Sequence, residues 1–287
     1  MPQRDLAPLP RPVVETIVAS ALAEDLGLIG DITTEATIPA GRQATCIMAA
    51  RQGGILAGID IAATTFRYLN AGVRFEAHIR DGQELRPGDT IATISGDARA
   101  LLSGERVALN FMGRMCGIAT QTRAYVDRVS GTRAGIIDTR KTTPGLRALE
   151  KYAVRAGGGM NHRIGLFDAV LIKDNHVAIA GGIAPAIEAA RARAGHMIKI
   201  EVEVDTLDQL REALEHDIDA VLLDNMPPSV LLEAVAIVDG RVTTEASGGV
   251  NLDTVRAIAE TGVDLISVGA LTHSVIVLDI GLDTTID

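Results

Sequence analysis

From Gly135 onward the sequence alternates short apolar runs with helix-compatible segments: GIID, AVLIK, KIEVEVD, AVLLDN, VTTEASGG and LISVGA are each followed by one. Strands joined through helices cannot form tight hairpins, so successive units run parallel and lie side by side in one sheet. Their regular succession predicts a closed or nearly closed β/α barrel. An eight-unit barrel takes about 250 residues, and only about 140 of the 287 residues remain, so a reduced barrel of about six strands is expected. The carboxyl ends of such strands share one rim, where barrels do their chemistry. Here those ends carry Asp138 to Lys141, Lys173-Asp174, Glu203, Asp224, Ser247-Gly248-Gly249 and Ser267-Val268-Gly269.

The preceding chain has another rhythm. VVETIVASALAEDLG after Pro12 reads as a helix with Val13, Ile17, Leu22 and Leu26 on its apolar face and Gly27 as its stop. Between Thr37 and Leu102 the runs shorten to ATCIMAARQ, GGILAG, VRFEAHIR and DTIATISG, broken by Gly and Pro, with one helix at about Ile59 to Leu69. Ser103 then opens a long helix, with interruptions expected at Gly113 and Gly117. The fold class is therefore α/β: a mixed α+β N-terminal domain over 1–115, a β/α barrel over 116–273, and residues 274–287 packing back on the first domain.

Charge separates the candidate site from the rest. The chain carries a formal net charge of -10, yet Arg140, Lys141, Arg147, Lys151, Arg155, His162, Arg163 and Lys173 fall within one stretch. An acidic total with no Trp and only 4 Phe and 3 Tyr argues against nucleic-acid binding, which needs a basic face and stacking platforms. Cys46 and Cys116 lie in apolar surroundings without a CxxC pattern and read as reduced thiols of a cytoplasmic protein. MPQRDLAPLPRP lacks the apolar core of a secretion signal, and no run is long enough to span a membrane.

Within the basic stretch, Arg147, Lys151 and Arg155 recur every fourth residue and are read as a solvated helix face. Arg140, Lys141, Arg163 and Lys173 sit instead at strand and loop ends, where they can converge on one anionic ligand. Glu203 and Asp224 end successive strands; they can pair with those cations, orient hydroxyls, or hold a divalent ion. Ser247-Gly248-Gly249 and Val268-Gly269-Ala270 end the last two strands before helices, the place of the usual barrel phosphate site.

The order of DTRKTTPGLR, GGGMNHR and LIKDNH, together with EDLGLIGDITT, GERVALNFMGRMCGIAT, EVEVD, VLLDN, SGGV and SVGA, closely resembles the quinolinate phosphoribosyltransferases, also called nicotinate-nucleotide pyrophosphorylases. The resemblance covers nearly the whole chain. It implies phosphoribosyl transfer from 5-phosphoribosyl 1-diphosphate to quinolinate with decarboxylation, in NAD biosynthesis. It also implies Mg²⁺ with the donor, held by Glu203 and Asp224, and no organic cofactor. Lys141, Lys173, Glu203 and Asp224 would be catalytic. Arg106, Thr139, Arg140, His162 and Arg163 would join them around the substrates, with Ser247, Gly248, Gly249, Val268, Gly269 and Ala270 at the phosphates. The family further implies a homodimer in which Arg106 reaches the neighbouring subunit's pocket. Two rival enzyme readings stay open on sequence: a molybdate-transport-associated paralogue with another acceptor, and an aldolase-like barrel forming a Schiff base at Lys173. A non-catalytic dicarboxylate sensor would leave the phosphate-type strand ends without a task.

Overall fold

The computed structural model describes residues 6–285. Residues 1–5, part of the stretch read as lacking a signal core, and residues 286–287, part of the segment expected to return to the first domain, lie outside the described residues. In chain order the elements are α1 (Arg11–Leu26), α2 (Ile32–Thr37), β1 (Gln43–Ala50), β2 (Gly54–Ile55), α3 (Ile59–Leu69), β3 (Arg74–Ala77), β4 (Glu84–Leu85), β5 (Thr90–Asp97) and α4 (Ala98–Arg128). Then come β6 (Gly135–Ile137), α5 (Arg147–Ala156), β7 (Val170–Ile172), α6 (Asp174–Ala180), α7 (Ile183–Arg193), β8 (Ile200–Val204), α8 (Leu207–Ala213) and β9 (Ala220–Asp224). The chain ends with α9 (Pro228–Val238), β10 (Thr243–Ser247), α10 (Val255–Ala259), β11 (Leu265–Ser267), α11 (Ala270–His273) and β12 (Ile280–Thr285).

These elements fall into two compact units: residues 6–123, 142–158 and 274–285 in one, 124–141 and 159–273 in the other. The partition also moves residues 142–158 into the first unit, whereas the sequence reading divides the chain at 115 and 273. In the first unit β12, β1, β5 and β3 form an antiparallel sheet in that order, and β2 pairs with β4. β12 lies on the edge of β1, with Met48 opposite Leu282 and Ala50 opposite Ile280, so the C-terminal segment does return to this unit. Met48, Leu56, Phe66, Ile91, Ile94 and Met112 build its core.

Three local expectations are corrected in this unit. The buried stripe of α1 is Val14, Val18 and Leu22 rather than Val13, Ile17, Leu22 and Leu26. Apolar residues adjoin at Val13-Val14 and Ile17-Val18, so periodicity admits either stripe, and packing against α3 selects one. Helix α4 begins at Ala98 and runs through Gly113 and Gly117 without a break. Those glycines admit the returning chain: a Cβ at Gly117 would collide with the Ile276 carbonyl, and one at Gly113 would come 2.9 Å from the Leu278 carbonyl. Finally, α5 is not solvated on its basic face. Lys151 is only 3% exposed, Arg147 Nε donates to Thr142 Oγ1 at 2.9 Å, and the Arg155 guanidinium lies 5.4 Å from the Tyr152 ring centroid. A four-residue spacing places side chains on one face of a helix; it does not say what covers that face.

Gly117→Ala is expected to destabilise the protein. Alanine in a helix interior is favoured over glycine by about 1 kcal/mol, but overpacking costs about 1–3 kcal/mol even where side chains can move, and Ile276 presents a backbone carbonyl. A fall in the urea midpoint at unchanged slope is the expected result; a rise would mean the returning chain yields at little cost.

In the second unit six strands pair in the order β6-β11-β10-β9-β8-β7, all parallel. This is the expected six-stranded β/α architecture. The ladder is continuous from β7 round to β6, while the β6 and β7 edges carry no ladder to each other. Met160 takes the outer edge of β6 instead, bridging Ile137 in parallel and donating its N–H to Ile136 O at 2.9 Å. That bridge fixes the segment carrying Asn161, His162 and Arg163 beside the strand that carries Arg140 and Lys141.

Candidate active site

Parallel pairing brings the strand carboxyl ends of the second unit to one rim. Thr139, Arg140 and Lys141 follow β6, Lys173 follows β7, Glu203 lies in β8, Asp224 and Ser247 end β9 and β10, and Val268 to Ala270 follow β11. In β8 the two-residue period is explicit: Ile200, Val202 and Val204 are fully buried, leaving Glu201 and Glu203 together on the opposite face.

The cations converge there by identifiable contacts. Lys173 Nζ is ion-paired with Glu203 Oε2, the lysine side chain 45% and the glutamate 12% exposed. A Schiff-base lysine is activated by an apolar pocket or an adjoining cation, whereas the partner of Lys173 is a carboxylate. Arg163 Nη1 donates to Ala169 O at 3.0 Å, while its Nε is buried without a hydrogen-bond partner among the described residues. Burial holds the Arg163 guanidinium below its ordinary pKa, Arg140 nearby adds to that, and Glu201 and Asp168 oppose it. The Arg140 and Arg163 guanidinium groups are thus near enough to feel one another's charge, and each offers a fork that an anionic ligand could share. Lys141 is exposed, and a Cβ at Gly269 would sit 3.2 Å from its Cδ, so its stem passes the end of β11. Its backbone is pinned twice: its N–H donates to Thr139 Oγ1 at 3.0 Å, and its carbonyl accepts from Thr272 Oγ1 at 2.8 Å.

Behind these cations lies a hydrogen-bonded set in which sequence reading named Asp138 and His162 but missed Glu201 and Glu245. Asp138 is wholly buried and clamps the neighbouring segment, accepting from Asn161 Nδ2 at 2.6 Å and from the His162 backbone N–H at 2.9 Å. His162 Nε2 lies 2.9 Å from Glu201 Oε2 and 3.5 Å from Glu245 Oε2. The Arg163 backbone N–H donates to His162 Nδ1 at 2.7 Å, so Nδ1 is an acceptor. The ring hydrogen therefore sits on Nε2 and is donated to Glu201. Burial first, and then the charge of Glu201, push Glu245 well above the usual carboxylate range. Glu201 and Glu245 stand in EVEVD and TTEAS, and only the alternation of each strand hinted that they face the same way as the rim residues.

His162, Glu201 and Glu245 offer ligand atoms within 4.8 Å of one another, a spacing that could hold a metal. With one ring nitrogen donating and the other accepting from backbone, the histidine presents no lone pair for one, and the hydrogen bonds account for the spacing. Glu203 and Asp224 remain the rim carboxylates on neighbouring strands, Glu203 standing opposite Leu222, two residues before Asp224. Asp224 Oδ2 accepts from Asn225 Nδ2 at 2.6 Å, which orients its carboxylate.

The two glycine-bearing strand ends differ. Val268-Gly269 leads directly into α11, although the Val268 N–H is already donated to Ile137 O at 3.0 Å. Gly248 and Gly249 do not abut a helix as expected, since residues 248–254 separate β10 from α10. At Gly248 the requirement is steric, since a Cβ there would collide with Oδ1 of Asn225, itself left-handed at φ 53°; at Gly249 it is the backbone, with φ 62°. Arg106 belongs to α4 in the other unit, where its side chain is 67% exposed and its nearest acid is the adjoining Glu105 at 4.0 Å.

A parallel β/α sheet with guanidinium groups, lysines and carboxylates at its carboxyl rim defines an enzyme acting on an anionic substrate. Residues 31–116 match the family quinolinate phosphoribosyl transferase, N-terminal domain, and residues 118–283 match quinolinate phosphoribosyl transferase, C-terminal domain. The chain belongs to the quinolinate phosphoribosyl transferase family. It is 49% identical over 271 residues to the nicotinate-nucleotide pyrophosphorylase [carboxylating] of Mycobacterium leprae, covering 93% of this chain and 95% of that one. The probable enzyme of the same name from Bacillus subtilis is 48% identical over 263 residues, covering 92% and 90%. Among solved structures, the nicotinate-nucleotide pyrophosphorylase from Francisella tularensis superposes with a TM-score of 0.92 at 39% identity, covering 98% of this chain and 99% of that one.

Proposed function

We propose that this enzyme transfers the phosphoribosyl group of 5-phosphoribosyl 1-diphosphate to the ring nitrogen of quinolinate, releasing diphosphate and CO2 and leaving nicotinate mononucleotide. The observation that carries the reading is that Arg140, whose charge is felt at Arg163, and the Lys173–Glu203 ion pair belong to strand ends of one parallel sheet. Each guanidinium offers a planar fork to a carboxylate, which suits an aromatic ring bearing two of them. Lys141, passing the end of β11, supplies a compact charge to the phosphates.

As diphosphate departs, positive charge develops at the anomeric carbon. Glu203 and Asp224 are the carboxylates placed to stabilise it. Lys173, paired with Glu203, balances that carboxylate while substrate is absent and offers its charge to the departing diphosphate when it is present. Once the ring nitrogen is quaternary, its positive charge stabilises the electron pair left on the adjacent ring carbon when the carboxylate leaves as CO2, and that carbon then takes a proton from solvent. The arginines serve this step by holding that carboxylate in position beforehand. Two carboxylates on neighbouring strands fit Mg²⁺, which keeps several waters and takes its other ligands from phosphate oxygens. When bound it would neutralise charge on the leaving diphosphate. The organic chemistry requires no further cofactor. Cys46 and Cys116 are both buried free thiols, the second pushed up to about 12 by burial. Unreactive thiols of this kind suit a reducing cytoplasm.

The test is stoichiometry. Quinolinate, donor and Mg²⁺ should yield CO2 and diphosphate in equal amounts with wild-type protein, and a folded protein producing neither would end the proposal. Arg106, exposed on its own chain, is assigned to the partner's dicarboxylate site in a two-fold homodimer, which would deliver one such arginine to each pocket. Arg106→Ala and Lys141→Ala chains, each nearly inactive alone, should on joint refolding recover roughly a quarter of all sites, because half of the dimers are hybrids with one intact pocket. Hybrid dimers without recovery would place Arg106 in its own chain's pocket or in none.

A further inference from the structure

Behind the rim, His162 is bonded on all sides to other parts of the chain. Both its ring nitrogens are engaged within the chain: Nδ1 accepts the Arg163 backbone N–H at 2.7 Å, and Nε2 donates to Glu201 at 2.9 Å. Its own backbone N–H is held by buried Asp138. The side chain is 13% exposed and Glu201 is 12% exposed, with Glu245 beneath them at 2%. A hydrogen bond from one residue's backbone to the ring of the residue before it restricts the peptide that joins them, and that peptide sets the direction in which Arg163 leaves the chain. Arg163 has one further anchor, Nη1 to Ala169 O, and a buried Nε without a partner among the described residues. Its guanidinium is thus placed by its backbone and by Ala169 rather than by an acidic side chain.

We propose that His162 is a positioning residue, held by Glu201 as the Nε2–H tautomer so that its Nδ1 fixes the Arg163 backbone and aims the guanidinium into the pocket. Glu201 and Glu245 form the support of this device and touch no substrate. The inference deepens the reading of Arg163 as a dicarboxylate ligand and rests on it. It reverses the direct pocket role that the NHR motif implies for His162. A histidine bonding substrate would need a ring nitrogen to spare, and the geometry spends both on the chain.

Asparagine and glutamine divide the two roles of the ring, since Asn Oδ1 occupies about the place of Nδ1 and Gln Nε2 about that of the distal nitrogen. His162→Ala is expected to lower quinolinate kcat/KM by roughly 10²-fold, the scale of a misplaced binding group, chiefly through KM for quinolinate. KM for the ribosyl donor should stay near the wild-type value. His162→Asn should return to within about tenfold of wild type, one hydrogen bond's worth, whereas His162→Gln should resemble alanine. Rescue by Gln and not by Asn, or equal rises in both KM values, would overturn the proposal. Nitrogen-15 NMR of the ligand-free wild-type protein gives a readout independent of turnover and of variant folding. The His162 ring should show a protonated Nε2 and a bare Nδ1 at neutral pH, and a protonated Nδ1 would refute the device. If instead the wild-type protein fails to use quinolinate while the tautomer is as stated, the functional reading fails and the positioning of Arg163 stands.

Discussion

Nicotinate, offered with saturating donor and Mg²⁺, is expected to turn over on the order of 10⁴-fold less efficiently than quinolinate. It lacks the second carboxylate, so the guanidinium that reads that group in quinolinate would lose its ligand contact. Arg163 makes the cost plain: burial and Arg140 already push it below its ordinary pKa, the mark of a cation held where its charge is poorly accommodated. An apolar pocket separates ligands differing by one small group by only about 10- to 200-fold, because nothing is left unsatisfied; a polar pocket rejects far more strongly, because its own groups are. Steady-state kcat/KM for both acids, measured in one donor concentration series, provides the comparison. Comparable values would show that these arginines do not read the second carboxylate.

Lys173→Ala and Lys141→Ala are each expected to reduce turnover by about 10²–10³-fold, the scale lost with one preorganised electrostatic contact, without loss of fold. Lys173 is 45% exposed and pairs only at its tip with Glu203, so its removal takes away charge rather than core packing. Lys141 is exposed, and its backbone anchors to Thr139 and Thr272 do not involve its side chain. Circular dichroism and the urea midpoint should match wild type. Arg211 serves as the control: its side chain is 54% exposed and its partner Asp208, three residues earlier, 95% exposed, so Arg211→Ala should alter stability by less than about 0.5 kcal/mol and leave turnover unchanged. Lys151, the control that its four-residue spacing would have recommended, is unsuitable because it is buried. Unchanged kinetics in either lysine variant would remove that residue from the machinery.

The sequence by itself determined the parallel β/α unit and the chemistry of its rim. Alternation of runs such as EVEVD and VLLDN with helical segments is a local signal, and parallel connection through helices leaves the strand ends at one side whatever the details of packing. Residues at or just beyond the ends of those runs, Arg140, Lys141, Lys173, Glu203 and Asp224, were therefore legible as neighbours. What the tertiary structure decided is which faces are covered and which hydrogen-bonding positions are taken. Lys151 looks solvated in a four-residue repeat and is buried because α5 packs within the first unit. Gly113 and Gly117 look like helix breaks and are points of close approach, because the chain returns more than a hundred residues later at Ile276 to Leu278. His162 looks like a ligand to substrate, yet the partner of its Nε2 lies 39 positions away on β8, and no spacing within NHR announces it. A periodic pattern states how residues share a face; burial and hydrogen bonding depend on what arrives from elsewhere in the chain to meet that face.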